Sequence, residues 1–152
     1  MYPDGDPIRD AAYAGLIGAF RARLPADHRF RPEVPVCETP GDMRAWDGVL
    51  HLPTCTCGLE FVTRFHDCQA QLRAFQLKQR DGSVDRLVVV VKATHHNRAA
   101  LNAARDIVAA ALPLGTRQVL AALCAGRDPG ANGMVVLAVP SGRDTQAVTP
   151  RA

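Results

Sequence analysis

Lysine and glutamate are scarce in this chain. Sixteen arginines stand against two lysines, Lys78 and Lys92, and the only glutamates are Glu33, Glu38 and Glu60. The arginine excess, beside abundant alanine, glycine and proline, reads as GC-rich coding bias, so the two lysines are the basic residues worth locating. The net charge is only +3, and no basic stripe concentrates it. Nucleic-acid contact is therefore permitted but not demanded. No run approaches the ~18–20 apolar residues of a membrane helix. The opening "MYPDGDPIRD" is acidic and polar, which excludes a secretory signal there. These absences predict a cytoplasmic protein with no membrane partner. The five cysteines are odd in number and predict reduced thiols rather than a disulfide framework. Internal repeats and interdomain linkers are also missing.

What is present predicts one domain. The chain has 152 residues, 47% of them hydrophobic, enough to bury a core. Residues 1–7 are expected to be disordered, 8–140 to fold as one unit, and 141–152 to form a disordered tail. Ile8, Ala12, Leu16, Phe20 and Leu24 fall four apart, one face of an amphipathic helix that Pro25 ends. "HRFRPEVPV" follows, where Pro32 and Pro35 restrict any strand to a sheet edge. "WDGVLHL" and "GLEFVTR" read as a hairpin joined by "PTCT". A helix is expected from about Asp67 to Arg80, with Cys68, Leu72 and Phe75 inward. "RLVVVVKA" is a strand buried on both faces. Thr94 or His96 caps a second long helix running to Leu112, with Ala100, Ala104, Ile107, Val108 and Ala111 inward. "TRQVLAALCAG" is a short helix that Gly126 stops, and "MVVLAV" is the last strand. The expected fold class is α/β: a mixed central sheet flanked by helices on both faces. It comprises an α-β-β-β-α-β core and a C-terminal α-α-β, whose crossover leaves the last two strands parallel.

The densest chemistry lies in "HLPTCTCGLEFVTRFHDC", which holds His51, Cys55, Cys57, His66 and Cys68. Zinc needs four such ligands around one point. At a rise of ~3.3 Å per residue, Cys57 and His66 lie ~25–30 Å apart along a strand. Only His51, Cys55 and Cys57 can meet, too few for a closed site, so the spacing argues against zinc. Cys68 and Cys124 are expected to be small buried hydrophobes.

The hairpin itself carries a second pattern. With "PTCT" as its loop, Leu52 faces Cys57, Leu50 faces Leu59, Val49 faces Glu60 and Asp47 faces Val62. One face then holds Trp46, Leu50, Leu52, Leu59 and Phe61 as core. The other holds Asp47, Val49, His51, Glu60, Val62 and Arg64. Two carboxylates on one face can hold a hard cation such as Mg²⁺, or can form a polar face with Arg64 as counter-charge.

The order α-β-β-β-α-β, with Asp47 on the second strand and Glu60 on the third, resembles the PD-(D/E)xK restriction-endonuclease-like fold. "PGDMRAWD", "LEFVTRFHD", "LKQRDGSVDRLVVVV" and "AGRDPG" are similar to stretches of an uncharacterised actinobacterial group, over about residues 8–139. In that group the domain commonly follows a helix-turn-helix. The resemblance implies that Asp47 and Glu60 are the catalytic acids and the ligands of a Mg²⁺ ion. It also implies a Lys or Glu at position 62, where this chain has Val62. Valine can neither ligate, donate a proton nor offset charge, so the first expectation is a nuclease-like domain with an incomplete site. Such a domain would be a non-catalytic, DNA-associated or transcription-regulating module. The alternatives are an active Mg²⁺-dependent nuclease with a displaced lysine, and a protein-interaction module. Lys78 is the candidate displaced lysine, with Lys92 behind it. Arg44, Arg64, Arg73 and Gln76 are the candidate substrate contacts. With no helix-turn-helix before Ile8, a DNA reader is expected to be lost, supplied by a separate helix-turn-helix protein, or never used.

The spacing predicts a chain without bound zinc. Protein purified without chelator is expected to carry no stoichiometric zinc by elemental analysis; one zinc per chain would overturn it.

Overall fold

The structure, a computed structural model, describes residues 7–140, with side chains from Asp10 onward. The expected loose start and the tail from Ser141 lie outside the described residues, except that Pro7 opens the first helix. Helix α1 (Pro7–Arg21) leads into strands β1 (Arg29–Pro35), β2 (Ala45–His51) and β3 (Thr56–Val62). Helix α2 (Cys68–Asp81) and strand β4 (Arg86–Lys92) follow. Helices α3 (His95–Ala103), α4 (Arg105–Ala111) and α5 (Thr116–Cys124) precede strand β5 (Gly133–Leu137). The strands form one sheet in the order β1-β2-β3-β4-β5. The first two pairings are antiparallel and the last two parallel, so the sheet is mixed.

Both sheet faces are apolar, and each has its own core. Leu16 and Phe20 of α1 and Val119 and Leu123 of α5 pack on Leu50, Cys57, Leu59, Phe61, Val88 and Val90. Leu72 of α2, Leu101 of α3 and Val108 of α4 pack on Trp46, Val49, Val62, Leu87, Val89 and Val91. The β-branched run of β4 sits at the centre and is wholly buried, as an uninterrupted apolar strand must be. The proline-bearing β1 is an edge strand, as its composition requires.

Local chemistry sets the helix ends. Asp67 caps α2 by accepting from the Ala70 N–H at 3.0 Å. Thr94 caps α3 through the Asn97 N–H. Gly126, at φ +70°, follows the end of α5. Buried Asn97 then ties three segments together. Its amide donates to the carbonyls of Thr63 and Lys92, and its oxygen accepts from the Phe65 N–H, all within 3.0 Å.

Three expectations need correction. The hairpin closes on His51 and Thr56, with Leu50 opposite Cys57 and Gly48 opposite Leu59. Burial of Cys55 and a bond from the Leu52 N–H to the Cys55 carbonyl draw the turn back to Leu52–Cys55. The shift is two residues, so each β3 side chain keeps its face. The long helix is broken at Ala104, which separates α3 from α4 and leaves Ile107 40% exposed. Cys124 is exposed and Cys68 half-buried; the buried cysteines are Cys55 and Cys57.

Strand β2 also changes face midway. Leu50 packs on the α1 side and Trp46 on the α2 side, although four residues of regular strand would put both on one face. The irregularity lies at Asp47, whose level is the one missing from the β1–β2 ladder. Glu33, the residue opposite, has φ +50°, a left-handed conformation rare outside glycine. The Trp46 ring lies directly over Gly58, where an added Cβ would come within 2.8 Å of the ring. Gly58→Ala is therefore expected to destabilise the fold by roughly 1–3 kcal/mol in urea unfolding, because the indole must move. An unchanged midpoint would contradict this packing.

Candidate functional site

Strands β2 and β3 part company just beyond Gly48 and Leu59. β2 goes on beside β1, while β3 goes on beside β4 through Glu60↔Val89 and Val62↔Val91. The result is a fork in the middle of the sheet. Asp47 lies on one branch and Glu60 on the other. Across the opening, the Phe61 N–H donates to Asp47 Oδ2 at 2.8 Å. The aspartate side chain thus takes the place that a backbone carbonyl of β2 would hold in a continuous ladder.

Glu60 points to the α2 side and is 2% exposed. Lys78 reaches it from α2. The Lys78 ammonium donates to Glu60 Oε1 and, at 2.9 Å, to the Ala45 carbonyl of β2. It therefore bridges the two branches. The Trp46 and Phe75 rings flank it at 5.9 and 6.0 Å from their centroids. Burial and the neighbouring Asp47 carboxylate push the Glu60 carboxyl up to about 8, against the opposing pull of Lys78.

The structure thus brings Asp47, Glu60 and Lys78 together, though through a register different from the expected one. It does not bring Lys92 to them: that lysine forms no ion pair with either carboxylate among the described residues. Val62 is 5% exposed and packs in the α2-side core. Among the other candidates, Arg44 is engaged with Asp42 at 2.7 Å and Asp81 at 3.0 Å, pinning the segment before β2 to the end of α2. Arg64 is exposed beyond β3, at the fork end of the sheet, with no ion-pair partner among the described residues. Arg73 and Gln76 are exposed and line a shallow groove with Leu77 and Ile107. At ~100° per residue, their positions fall on the far side of α2 from Lys78. They are therefore not contacts of the fork. Two of the four helix glutamines are used internally: Gln71 accepts from the His66 and Asp67 N–H groups, and Gln79 pairs with Asn132.

Tyr13 and Glu33 lie next to these residues, and no motif marks either in the sequence. Tyr13 stands on α1 with its ring edge-on to Phe61, centroids 6.2 Å apart. Glu33 stands opposite Asp47 in strained backbone. The one signal for Glu33 was an acid flanked by prolines in a weak strand. Tyr13 falls outside the four-apart stripe of Ile8, Ala12, Leu16, Phe20 and Leu24 and carries no signal of its own.

The donor set suits a hard cation. Mg²⁺ prefers oxygen ligands and is commonly held by one or two carboxylates, with water and substrate completing the shell. Asp47 and Glu60 supply such a pair. Among the described residues no three His, Cys, Asp or Glu side chains are grouped to form a closed metal cage. Also among the described residues, no helix is long and apolar enough to cross a membrane. Protein-family models, curated proteins and solved structures provide no match to this chain.

The raised Glu60 carboxyl has a signed consequence for stability. In the unfolded chain it titrates near 4.5, and in the fold near 8. Between these values the folded protein holds a proton that the unfolded chain has released. This contribution is full below about 4.5 and is lost as pH rises toward about 8. In metal-free buffer, the melting temperature of the wild type is expected to fall relative to Glu60→Gln across that window. A difference independent of pH would contradict the assignment.

Proposed function

We propose that the fork is the active site of a metal-dependent phosphodiesterase acting on nucleic acid, with Lys78 supplying the cation that position 62 lacks. The observation that carries this reading is the Lys78 bridge to Glu60 and to the Ala45 carbonyl. Val62 was the reason to expect an incomplete site. A lysine delivered from α2 to the same carboxylate removes that reason, since function requires a charge at a place and not at a sequence position. The resemblance to the PD-(D/E)xK fold supports the reading through the acid on each of the second and third strands. The expected setting is the cytoplasm, with DNA as partner.

Asp47 and Glu60 would hold Mg²⁺, which when bound makes water a better nucleophile and offsets phosphoryl charge. The remaining work falls to the chain. The Phe61 N–H orients Asp47. Lys78 stands beside Glu60, where a phosphate oxygen gains negative charge during attack. Trp46 and Phe75 keep the ammonium partly desolvated, so its charge is less screened than it would be in open solvent. Exposed Arg64, beyond β3, offers a phosphate contact to the rest of the strand.

Incubation with single- and double-stranded DNA and RNA in Mg²⁺ or Mn²⁺ tests this directly. Wild-type protein is expected to cleave at least one substrate. Asp47→Ala is expected to abolish cleavage, and Lys78→Ala to slow it on the order of 10²–10³-fold. Cleavage that survives Asp47→Ala would assign the activity elsewhere. No cleavage in any condition would return the domain to the non-catalytic, nucleic-acid-associated reading.

A further inference from the structure

Helices α2 and α4 lie on the same sheet face, where Leu72 and Val108 seat them in one core. Between their outer sides runs an open groove of about 460 Å³, lined by Gln69, Arg73, Gln76, Leu77 and Arg80 of α2 and Ile107 of α4. The four polar residues are spaced i, i+4, i+7 and i+11. At ~100° and ~1.5 Å per residue they form one straight stripe ~16 Å long, turned away from Lys78.

Ile107 is out of place on this surface. Val108 and Ala111 carry the buried side of α4. The break at Ala104 leaves Ile107 40% exposed, and Met43 is the only other exposed large apolar side chain among the described residues. A β-branched residue gains nothing from an exposed helix position, whereas burial against a partner would stabilise it. Leu77 and Ile107 together give the groove its apolar part.

The rest of the lining sets the charge of an occupant. It holds two arginines, two amides and no carboxylate. Arg73 is exposed and has no ion-pair partner among the described residues. Arg80 meets only Asp81, its neighbour in the chain, which Arg44 also holds. An exposed pair of that kind contributes little and yields readily to another carboxylate. Arg73 and Arg80 stand one heptad apart, ~10.5 Å along the axis. An amphipathic helix repeats at the same spacing, so it can lay an apolar stripe on Leu77 and Ile107 and set acids against both arginines. Nucleic acid fits less well. Two arginines make few phosphate contacts, no aromatic ring lines the groove to stack a base, and phosphates gain nothing from an apolar floor.

We propose that the α2–α4 groove is a docking site for an acidic amphipathic helix of a partner protein. The inference is independent of the fork, which lies on the other side of α2.

The probe is a labelled helical peptide of about 14 residues, with leucines at i, i+4 and i+7 and flanking glutamates one heptad apart. Its counterpart carries lysine at each glutamate. Fluorescence anisotropy is expected to show saturable binding of the glutamate peptide, about 10-fold or more tighter than the lysine peptide and weakening with salt. Ile107→Asp is expected to lower that affinity about 10-fold or more, through lost apolar burial and added repulsion. Arg73→Gln is expected to lower it about 3-fold. Both side chains are exposed, and the two peptides decide the question of charge without any variant. In ¹⁵N spectra the glutamate peptide is expected to move amides of α2 and α4 and to leave those of α5, on the opposite sheet face, in place. No saturable binding, equal binding of the lysine peptide, or shifts confined to other elements overturns the proposal. So does a duplex DNA oligonucleotide that moves the same amides at lower concentration than the peptide, which assigns the groove to nucleic acid.

Discussion

One hydrogen bond organises the centre of this protein. The Phe61 N–H, which a continuous β2–β3 ladder would pair with backbone, is held instead by the Asp47 carboxylate. That substitution lets β2 swing toward β1 while β3 stays with β4. The strands can separate without leaving a buried donor unpaired, which would cost about 1–3 kcal/mol. The fork carries the other irregularities with it. Glu33 adopts left-handed backbone opposite Asp47, and β2 turns Trp46 to the α2 face. The indole then needs Gly58 beneath it.

A carboxylate buried as deeply as Glu60 is expensive. Several kcal/mol are lost on removing such a charge from water, and an ion pair returns that only with good geometry. Lys78 makes the pair and also takes a backbone carbonyl, so each of its partners belongs to a different branch of the fork. Apolar pairs of similar size often stabilise a buried site as well or better. Perturbed carboxyls of this kind cluster at functional sites, and that is the support the proposed active site draws from Glu60.

The architecture was largely legible in the sequence. Period-four apolar spacing marked α1, and the β-branched run marked β4 as the central strand. The prolines placed β1 at an edge, and both acids and the lysine could be named. Less legible was anything that depends on partners far apart in the chain. The hairpin register depended on Cys55 being drawn into the core, which "PTCT" alone does not show. The break at Ala104 has no local signal, because alanine favours the helix it interrupts. Arg73 and Gln76 were grouped with Lys78 by nearness in sequence, yet helix geometry puts them on the opposite side of α2. Val62 was read as a lost catalytic group. It packs in the core, and the lysine that meets Glu60 stands on a helix sixteen positions later.

We propose that Asp47 and Glu60 share one divalent cation beside Lys78. A crystal of the protein soaked in Mn²⁺, with data collected for its anomalous signal, tests that most directly. A single peak is expected in the fork, within coordination distance of both carboxylates. A peak elsewhere, such as at Cys55 and Cys57, or no peak at a Mn²⁺ concentration that supports cleavage, would contradict it.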